Sequence, residues 1–238
     1  MLCCRDALAD FDGNVLVVAG DMPLVRRETL VELIREREEY NDAVSLATTF
    51  LEDPTGYGRI IRDGQGQLLA IVEDRDCTPE QREIHEVNPS YYCFDARRLF
   101  DALAKVKRSI GRAEYYLTDV VAILKQDGHS VSARVAIPRE DATGINSRLD
   151  LAIVGRMMQD RIQFALMECG VTIVDPDNTW VEADVEIGRD TVIYPFSVIG
   201  AGATVGTGCR IGPFARIAAE EHVTDGAHAG PTGSLAQP

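Results

Sequence analysis

The sequence predicts an α/β domain followed by a short parallel β-helix, and three observations carry that reading. Up to about residue 170, apolar runs of strand length alternate with amphipathic stretches of helix length, the pattern of a sheet with helices packed on it. From residue 181 the apolar period becomes six: Val181, Ile187, Ile193, Ile199, Val205, Ile211, Ile217 and Val223 are all Ile or Val. Composition is that of an ordinary globular protein, 45% apolar and 26% charged over 238 residues. The chain therefore divides into an α/β domain over 1–170, a six-residue-repeat domain over 171–230 and a tail over 231–238.

In chain order, NVLVVAG (14–20) is a continuous apolar run of the kind found in strands covered on both faces. ETLVELIREREEY places Leu30, Leu33, Ile34 and Arg37 along one helical stripe. AVSLATTF alternates, with Val44, Leu46, Thr48 and Phe50 on one side. RIIRDGQGQLLAIVE reads as two strands joined through a turn at Asp63-Gly64. DARRLFDALAKV and EYYLTDVVAILKQDG predict helices, the second with Leu117, Val120, Val121 and Leu124 on one face and Gly128 as C-terminal cap. HSVSARVAI alternates again as a strand, and a long helix starts near a capping box of Ser147 and Asp150 and stops at Gly170. A largely parallel sheet is the economical expectation for this half.

In the repeat region a β-branched side chain every six residues fills the interior of a coil in which each hexad forms one of three sides. The positions four residues later (Val185, Thr191, Ser197, Ala203, Cys209, Ala215 and Ala227) are mostly small, with Glu221 the exception, as a turn into the next side requires. Eight hexads supply two to three coils. So short a stack leaves flat faces to cover, which predicts a homo-oligomer. AGPTGSLAQP loses the pattern and is expected to be a frayed tail.

Twenty-four basic against 38 acidic side chains give a net charge of −14, which argues against a nucleic-acid partner but leaves room for a small anion held through a metal. No run approaches the roughly 18 apolar residues of a membrane span, and MLCCRDALADFDG lacks a signal-peptide core, so no membrane association and a cytoplasmic location are expected. The six cysteines show no CxxC spacing, and a zinc site or disulfide framework is not expected.

Several polar residues sit where chemistry could occur. Asp21 follows an apolar run at the carboxyl end of a strand, where ligands of open α/β sheets bind; it reads as a turn residue or as a carboxylate for Mg²⁺. Gly58 lets backbone approach a ligand closely or serves a turn. Glu73, emerging from LLAIV, could accept hydrogen bonds from a ligand or could be a surface acid. Asn88 offers donor and acceptor together, but Asn before Pro also suits a turn. Asn146 is either a helix cap or an amide-oxygen ligand. Thr118 is a weaker candidate, since a Thr on an amphipathic helix more often packs. Arg59 and Arg75 read as solvated or ion-paired.

GDMPL (20–24), PTGYGRI (54–60), IVEDRD (71–76), EVN (86–88), EYYLTD (114–119) and GIN (144–146), in this order and followed by hexapeptide repeats, resemble bacterial N-acetylglucosamine-1-phosphate uridyltransferase. In that family this enzyme is usually the front half of a bifunctional protein whose back half is a hexapeptide-helix glucosamine-1-phosphate acetyltransferase. The resemblance spans about residues 7 to 217. It implies an incomplete Rossmann-like nucleotidyltransferase domain followed by a short left-handed parallel β-helix, a homotrimer, and UTP and N-acetylglucosamine 1-phosphate as substrates. Carried over by position, Asp21 and Asn146 would hold Mg²⁺, Gly58, Glu73 and Asn88 would bind the sugar phosphate or its UDP-linked product, and Ala19 and Gly20 would lie against the nucleotide sugar. Thr118 would be a further sugar contact.

The departures set their own expectations. The family's LAAGxGTRM loop, its following lysine and its QxGTGHA segment are absent, and MLCCRDAL resembles the helix after the last of these. Without that loop's backbone N–H cradle, weak nucleotide binding and little turnover are expected, as are exposed apolar edges on NVLVVAG. Pro89-Ser90 stands where the family has Thr-Gly, and Ala218 follows IGPFARI where it has a substrate-binding arginine. Acetyl transfer is not expected, and His222 and His228 read as surface residues. The alternatives are a non-catalytic sugar-nucleotide-binding or assembly subunit and a nucleotidyltransferase for another sugar 1-phosphate.

Overall fold

The computed structural model describes residues 1–106, 115–231 and 235–236. The chain forms two compact units, Met1–Asn146 and Ser147–Pro238.

The first unit opens with 3₁₀ turns at Leu2–Cys4 and Asp6–Leu8, in place of a regular helix. There follow β1 (Asn14–Val17), α1 (Arg27–Tyr40), β2 (Val44–Phe50), β3 (Gly58–Arg62), β4 (Leu68–Val72), α2 (Pro79–Arg82), β5 (Glu86–Asp95), α3 (Ala96–Leu103), α4 (Thr118–Gln126) and β6 (Val131–Val135). Strand order in the sheet is β4-β3-β5-β2-β6, with β1 also on β5. The sheet is mixed and mainly antiparallel, against the expectation of a largely parallel one: only β2 and β6 run parallel. Alternation of apolar residues carries no strand direction, whereas short connections such as the Asp63 turn between β3 and β4 force antiparallel neighbours. In that turn the Asp63 carboxylate accepts from the N–H groups of Gln65 and Gln67.

Strand β5 organises the unit. One edge pairs along its length with β2, while the other is shared end to end by β3, at Gly58↔Asn88, and by β1, at Val17↔Tyr92. Residues 89–91, between these two partners, meet no strand on that edge among the described residues. On one face of the sheet Val44, Leu46, Tyr92 and Phe94 pack with Leu99, Leu103, Val120 and Leu124; on the other Ala47, Tyr91 and Cys93 pack with Leu33 and Ile137. Strand β2 is thus buried on both faces from Val44 to Thr49, not on one as its alternation suggested. Its Ser45 hydroxyl is satisfied by donating to the Leu33 carbonyl at 2.7 Å. In contrast, the run that contains β1 is not covered throughout: Leu16 in the strand and Val18 just after it are exposed. Glu114, at the start of the run read as a helix, lies outside the described residues, and α4 begins at Thr118.

The second unit starts with α5 (Arg148–Glu168), whose capping box is the expected one: Asp150 N–H donates to Ser147 Oγ and Ser147 N–H to Asp150 Oδ2. The expected domain boundary at 170 and the compact-unit boundary at 146 differ by this helix. It packs with the coils through two buried glutamines: Gln159 exchanges hydrogen bonds with the backbone of Val181, and Gln163 donates to the Thr179 carbonyl. Two-residue strands follow, β7 (Thr172–Ile173), β8 (Trp180–Val181), β9 (Glu186–Ile187), β10 (Val192–Ile193), β11 (Val198–Ile199), β12 (Thr204–Val205), β13 (Arg210–Ile211), β14 (Arg216–Ile217), β15 (His222–Val223) and β16 (His228–Ala229). They stack in parallel on three sides, with Val181 beside Ile199 and Ile199 beside Ile217, so one coil takes 18 residues. Strand β7 escaped the sequence pattern because Ile173 and Val181 are eight residues apart, out of phase by two.

The eight periodic positions fill the coil interior, most of them fully buried. The small residues four positions on are also inside, which corrects their expected role. The turn itself is made by the residue just before this position in seven successive hexads: Asp190, Phe196, Gly202, Gly208, Phe214, Glu220 and Gly226 all have φ between 58° and 69°. The neighbouring side chain is small because the corner leaves it little volume. Where it is polar it binds backbone, as when Thr191 Oγ1 donates to the Gly206 carbonyl. In the tail, β17 (Leu235–Ala236) pairs antiparallel with β16, and residues 232–234 and 237–238 lie outside the described set.

Candidate functional site

A cavity of about 270 Å³ opens beside the gap in the β5 edge, lined by Ala19, Asp21, Gly58, Glu73, Asn88 and Asn146 together with Met22, Thr55, Gly56, Tyr57, Ser90 and Gly144. Six of the eight positions singled out from sequence therefore meet in one place, although they come from segments up to 127 residues apart (Ala19 to Asn146). Gly20 is exposed in the chain between Ala19 and Asp21, and Thr118 stands behind the wall.

The segment after β1 delivers Asp21. Its carbonyl accepts from Ile145 N–H at 2.8 Å, which ties it to the 144–146 segment. A Cβ on Gly144 would sit 3.8 Å from both Asp21 Oδ2 and the Asn146 side-chain amide, so the two side chains converge on one region. Asn146 is not the cap of α5, because Ser147 performs that role. Tyr57 ties the opposite wall to the same segment by donating from its hydroxyl to the Ala142 carbonyl at 2.7 Å. Burial raises the Tyr57 pKa, with the Asp21 charge adding to the effect, so the phenol stays protonated and able to donate. The 3₁₀ turn Arg139–Ala142 beneath it is anchored by the pair of Arg26 with buried Asp141 and by Tyr91, whose hydroxyl donates to the Asp141 carbonyl.

The other half of the pocket is built on β3, β4 and β5. A Cβ on Gly58 would lie 3.1 Å from Ile71 Cγ2, 3.7 Å from Glu73 Oε2 and 3.8 Å from Asn88 Cβ, so a larger residue would crowd the two polar side chains beside it. Glu73 Oε1 accepts from Thr118 Oγ1 at 2.7 Å. Asn88 is buried; its amide donates to the Tyr92 hydroxyl at 2.6 Å, and its Oδ1 accepts from Ser90 N–H. One N–H of its amide is left for a ligand, fewer contacts than a fully available side chain offers. Burial pushes the Tyr92 phenol pKa well up. Ser90 holds φ +65°, which explains why a glycine suits this position in the resembled family.

Of its two expected readings, solvated or ion-paired, Arg59 takes the second. It is 2% exposed and bonds Asp74 Oδ1 at 2.8 Å and the Tyr57 carbonyl, bracing the loop on which Tyr57 and Gly58 sit. Among the other pocket residues, Met22, Thr55, Gly56, Tyr57 and Gly144 lay within motifs already noticed, and Ser90 lay at the noted Pro89-Ser90 departure, although none had been singled out as a site residue.

The cavity holds two carboxylates and no Lys or Arg. A phosphate ligand there needs positive charge from elsewhere. The Asp21 carboxylate is a hard oxygen donor that fits Mg²⁺, which binds through one or two protein oxygens and shares the rest with phosphate and water, while Asn146 brings its amide nitrogen to the same region and carries its amide oxygen on the same group. Among the described residues no group of three or more His, Cys, Asp or Glu is placed to hold a metal. Cys3, Cys4, Cys77, Cys93, Cys169 and Cys209 are free thiols, and no described helix is long and apolar enough to cross a membrane.

Comparison with known proteins agrees with both units. The chain is 44% identical over 209 residues to the bifunctional protein GlmU of Syntrophotalea carbinolica, covering 88% of this chain and 45% of that protein. It is 45% identical over 209 residues to GlmU of Thermoanaerobacter pseudethanolicus, with the same coverage of each. It thus spans under half the length of these curated relatives. A solved structure from Bacillus anthracis, described as a glucose-1-phosphate thymidylyltransferase, shares the fold at a TM-score of 0.50 and 15% identity, covering 66% of this chain and 58% of the other. The bacterial transferase hexapeptide family matches residues 184–219, which makes the coils a left-handed parallel β-helix. The nucleotidyl transferase family matches residues 2–141, the whole sheet and nearly all of the pocket, and the chain belongs to that family.

Proposed function

We propose that the chain contributes the sugar-phosphate and metal sites of a uridyltransferase that joins N-acetylglucosamine 1-phosphate and UTP to give UDP-N-acetylglucosamine and pyrophosphate. The observation that carries this reading is the single cavity in which Asp21, Gly58, Glu73, Asn88 and Asn146 meet. In the reaction a phosphate oxygen of the sugar 1-phosphate attacks the α-phosphorus of UTP, the new P–O bond forms, and pyrophosphate leaves with the bridging oxygen. No protein nucleophile is required, so positioning and electrostatics supply the catalysis. Asp21 and Asn146 hold Mg²⁺, which when bound neutralises phosphate charge. Glu73 accepts from a sugar hydroxyl or the acetamido N–H, Asn88 donates its remaining N–H, and Gly58 admits the ligand to the β3 backbone. Ala19 and Gly20 flank the nucleotide.

Calorimetric titration of the chain with UDP-N-acetylglucosamine and Mg²⁺ tests the reading. Binding should be Mg²⁺-dependent, and Asp21→Ala should weaken it at least about tenfold with unchanged unfolding, as expected for loss of a charged ligand to the metal. Equal binding with and without Mg²⁺ in both proteins would remove Asp21 from this role.

The β-helix supports a homotrimer. Trp180 and Val198 are adjacent exposed rungs of one side, and exposed Phe196 and Phe214 stack at the neighbouring corner with ring centroids 5.0 Å apart, an apolar surface suited to other copies. Light scattering should give three times the chain mass, and a monomer at micromolar concentration would reject this. A cytoplasmic location goes with nucleotide substrates and free thiols.

A further inference from the structure

Behind the sugar-facing half of the pocket a buried hydroxyl is aimed at a pocket carboxylate. Thr118, the first residue of α4, is 6% exposed and does not line the cavity, whereas Glu73 does. Its Oγ1 lies 2.7 Å from Glu73 Oε1. Glu73 sits just past the end of β4, on a side chain whose rotatable bonds allow several orientations. The position of Thr118 is fixed by the burial of Val120, Val121 and Leu124 on the same helix. An ionised carboxylate can only accept, so the threonine hydroxyl donates, engaging Oε1 and leaving Oε2 turned toward Gly58.

We propose that Thr118 is a positioning residue that acts through Glu73, holding one carboxylate oxygen toward the ligand so that the pocket selects a sugar carrying a hydrogen-bond donor, a hydroxyl or an amide N–H, at that point. This deepens the function proposed above and rests on it. It also revises the sequence expectation, in which Thr118 touched the sugar itself.

The test is titration of the full chain with N-acetylglucosamine 1-phosphate and Mg²⁺, followed by NMR. Thr118→Val removes the hydroxyl at nearly constant shape and should weaken binding about tenfold, while Thr118→Ser should stay within about threefold of the unaltered chain. In a Glu73→Ala background, Thr118→Val should cause no further loss, because a residue acting through Glu73 has nothing left to position. Thr118→Ala repeats the test if the valine variant does not fold. Unchanged affinity in Thr118→Val, or an equal further loss on top of Glu73→Ala, would overturn the proposal. Absence of binding to the unaltered chain would instead reject the proposed function.

Discussion

The two units solve the same problem, placing backbone in confined space, by opposite means. In the β-helix one rule repeats every six residues, and each contact lies 18 residues away along the same ladder. In the first unit the site is assembled once, from segments that share no periodicity. The glycines show the difference. A Cβ on Gly188 would lie 2.6 Å from the Thr207 backbone nitrogen and 2.7 Å from the Gly206 carbonyl carbon, so this residue is small because coil stacks on coil. A Cβ on Gly58 would meet only side chains, and two of the three belong to the pocket. One glycine serves the stacking of the coils, the other borders the cavity.

Substitutions can break this comparison. The largest effect should come from Ile199→Ala, which opens a hole at a fully buried rung and should cost about 4 kcal/mol in the second unit, read as an earlier denaturation step with sugar-phosphate binding unchanged. Next, Gly188→Ala should cost about 3 kcal/mol because backbone cannot move aside. Gly58→Ala should leave denaturation nearly unaltered and weaken sugar-phosphate binding about tenfold. If Gly58→Ala unfolded the first unit and bound normally when refolded, the contrast would collapse.

A smaller effect concerns pH. Burial pushes the Cys93 thiol up to about 11 from its ordinary 9.0, so the fold favours the protonated form. The stabilisation this gives is complete below pH 9 and is lost as pH rises through 11. Cys93→Ala should flatten that part of the alkaline stability profile of the first unit; an identical profile would show that other groups carry it. The smallest effect should be Glu220→Gly, which relieves a left-handed conformation with φ 60° at a coil corner and should stabilise the β-helix by up to about 1 kcal/mol. A loss of stability there would mean that the corner depends on the Glu220 side chain.

Legibility in the sequence followed the same divide. The interior of the β-helix could be read position by position from Val181 to Val223, because a repeating backbone places the same demand on each sixth residue. It failed at Ile173, where the phase slips by two, and at the corners, where the left-handed residues include Phe196, Phe214 and Glu220, types that signal no turn. In the first unit the motif residues around the pocket were legible through resemblance to a known family. Strand direction was not, because residues alternate identically in parallel and antiparallel strands. The burial of Arg59 and the use of Asn88's amide by Tyr92 and Ser90 were also invisible, since both depend on partners brought from elsewhere.

By itself the sequence determined the two-part architecture and the filling of the coils, because these rest on local period and residue chemistry, and its resemblance to a known family pointed to most of the residues that gather around Asp21. Tertiary structure alone decided that the sheet is mixed, that Arg59 is buried against Asp74, and that Thr118 bonds Glu73 from behind the wall. Each of these is a contact between groups whose distance along the chain says nothing of their distance in space.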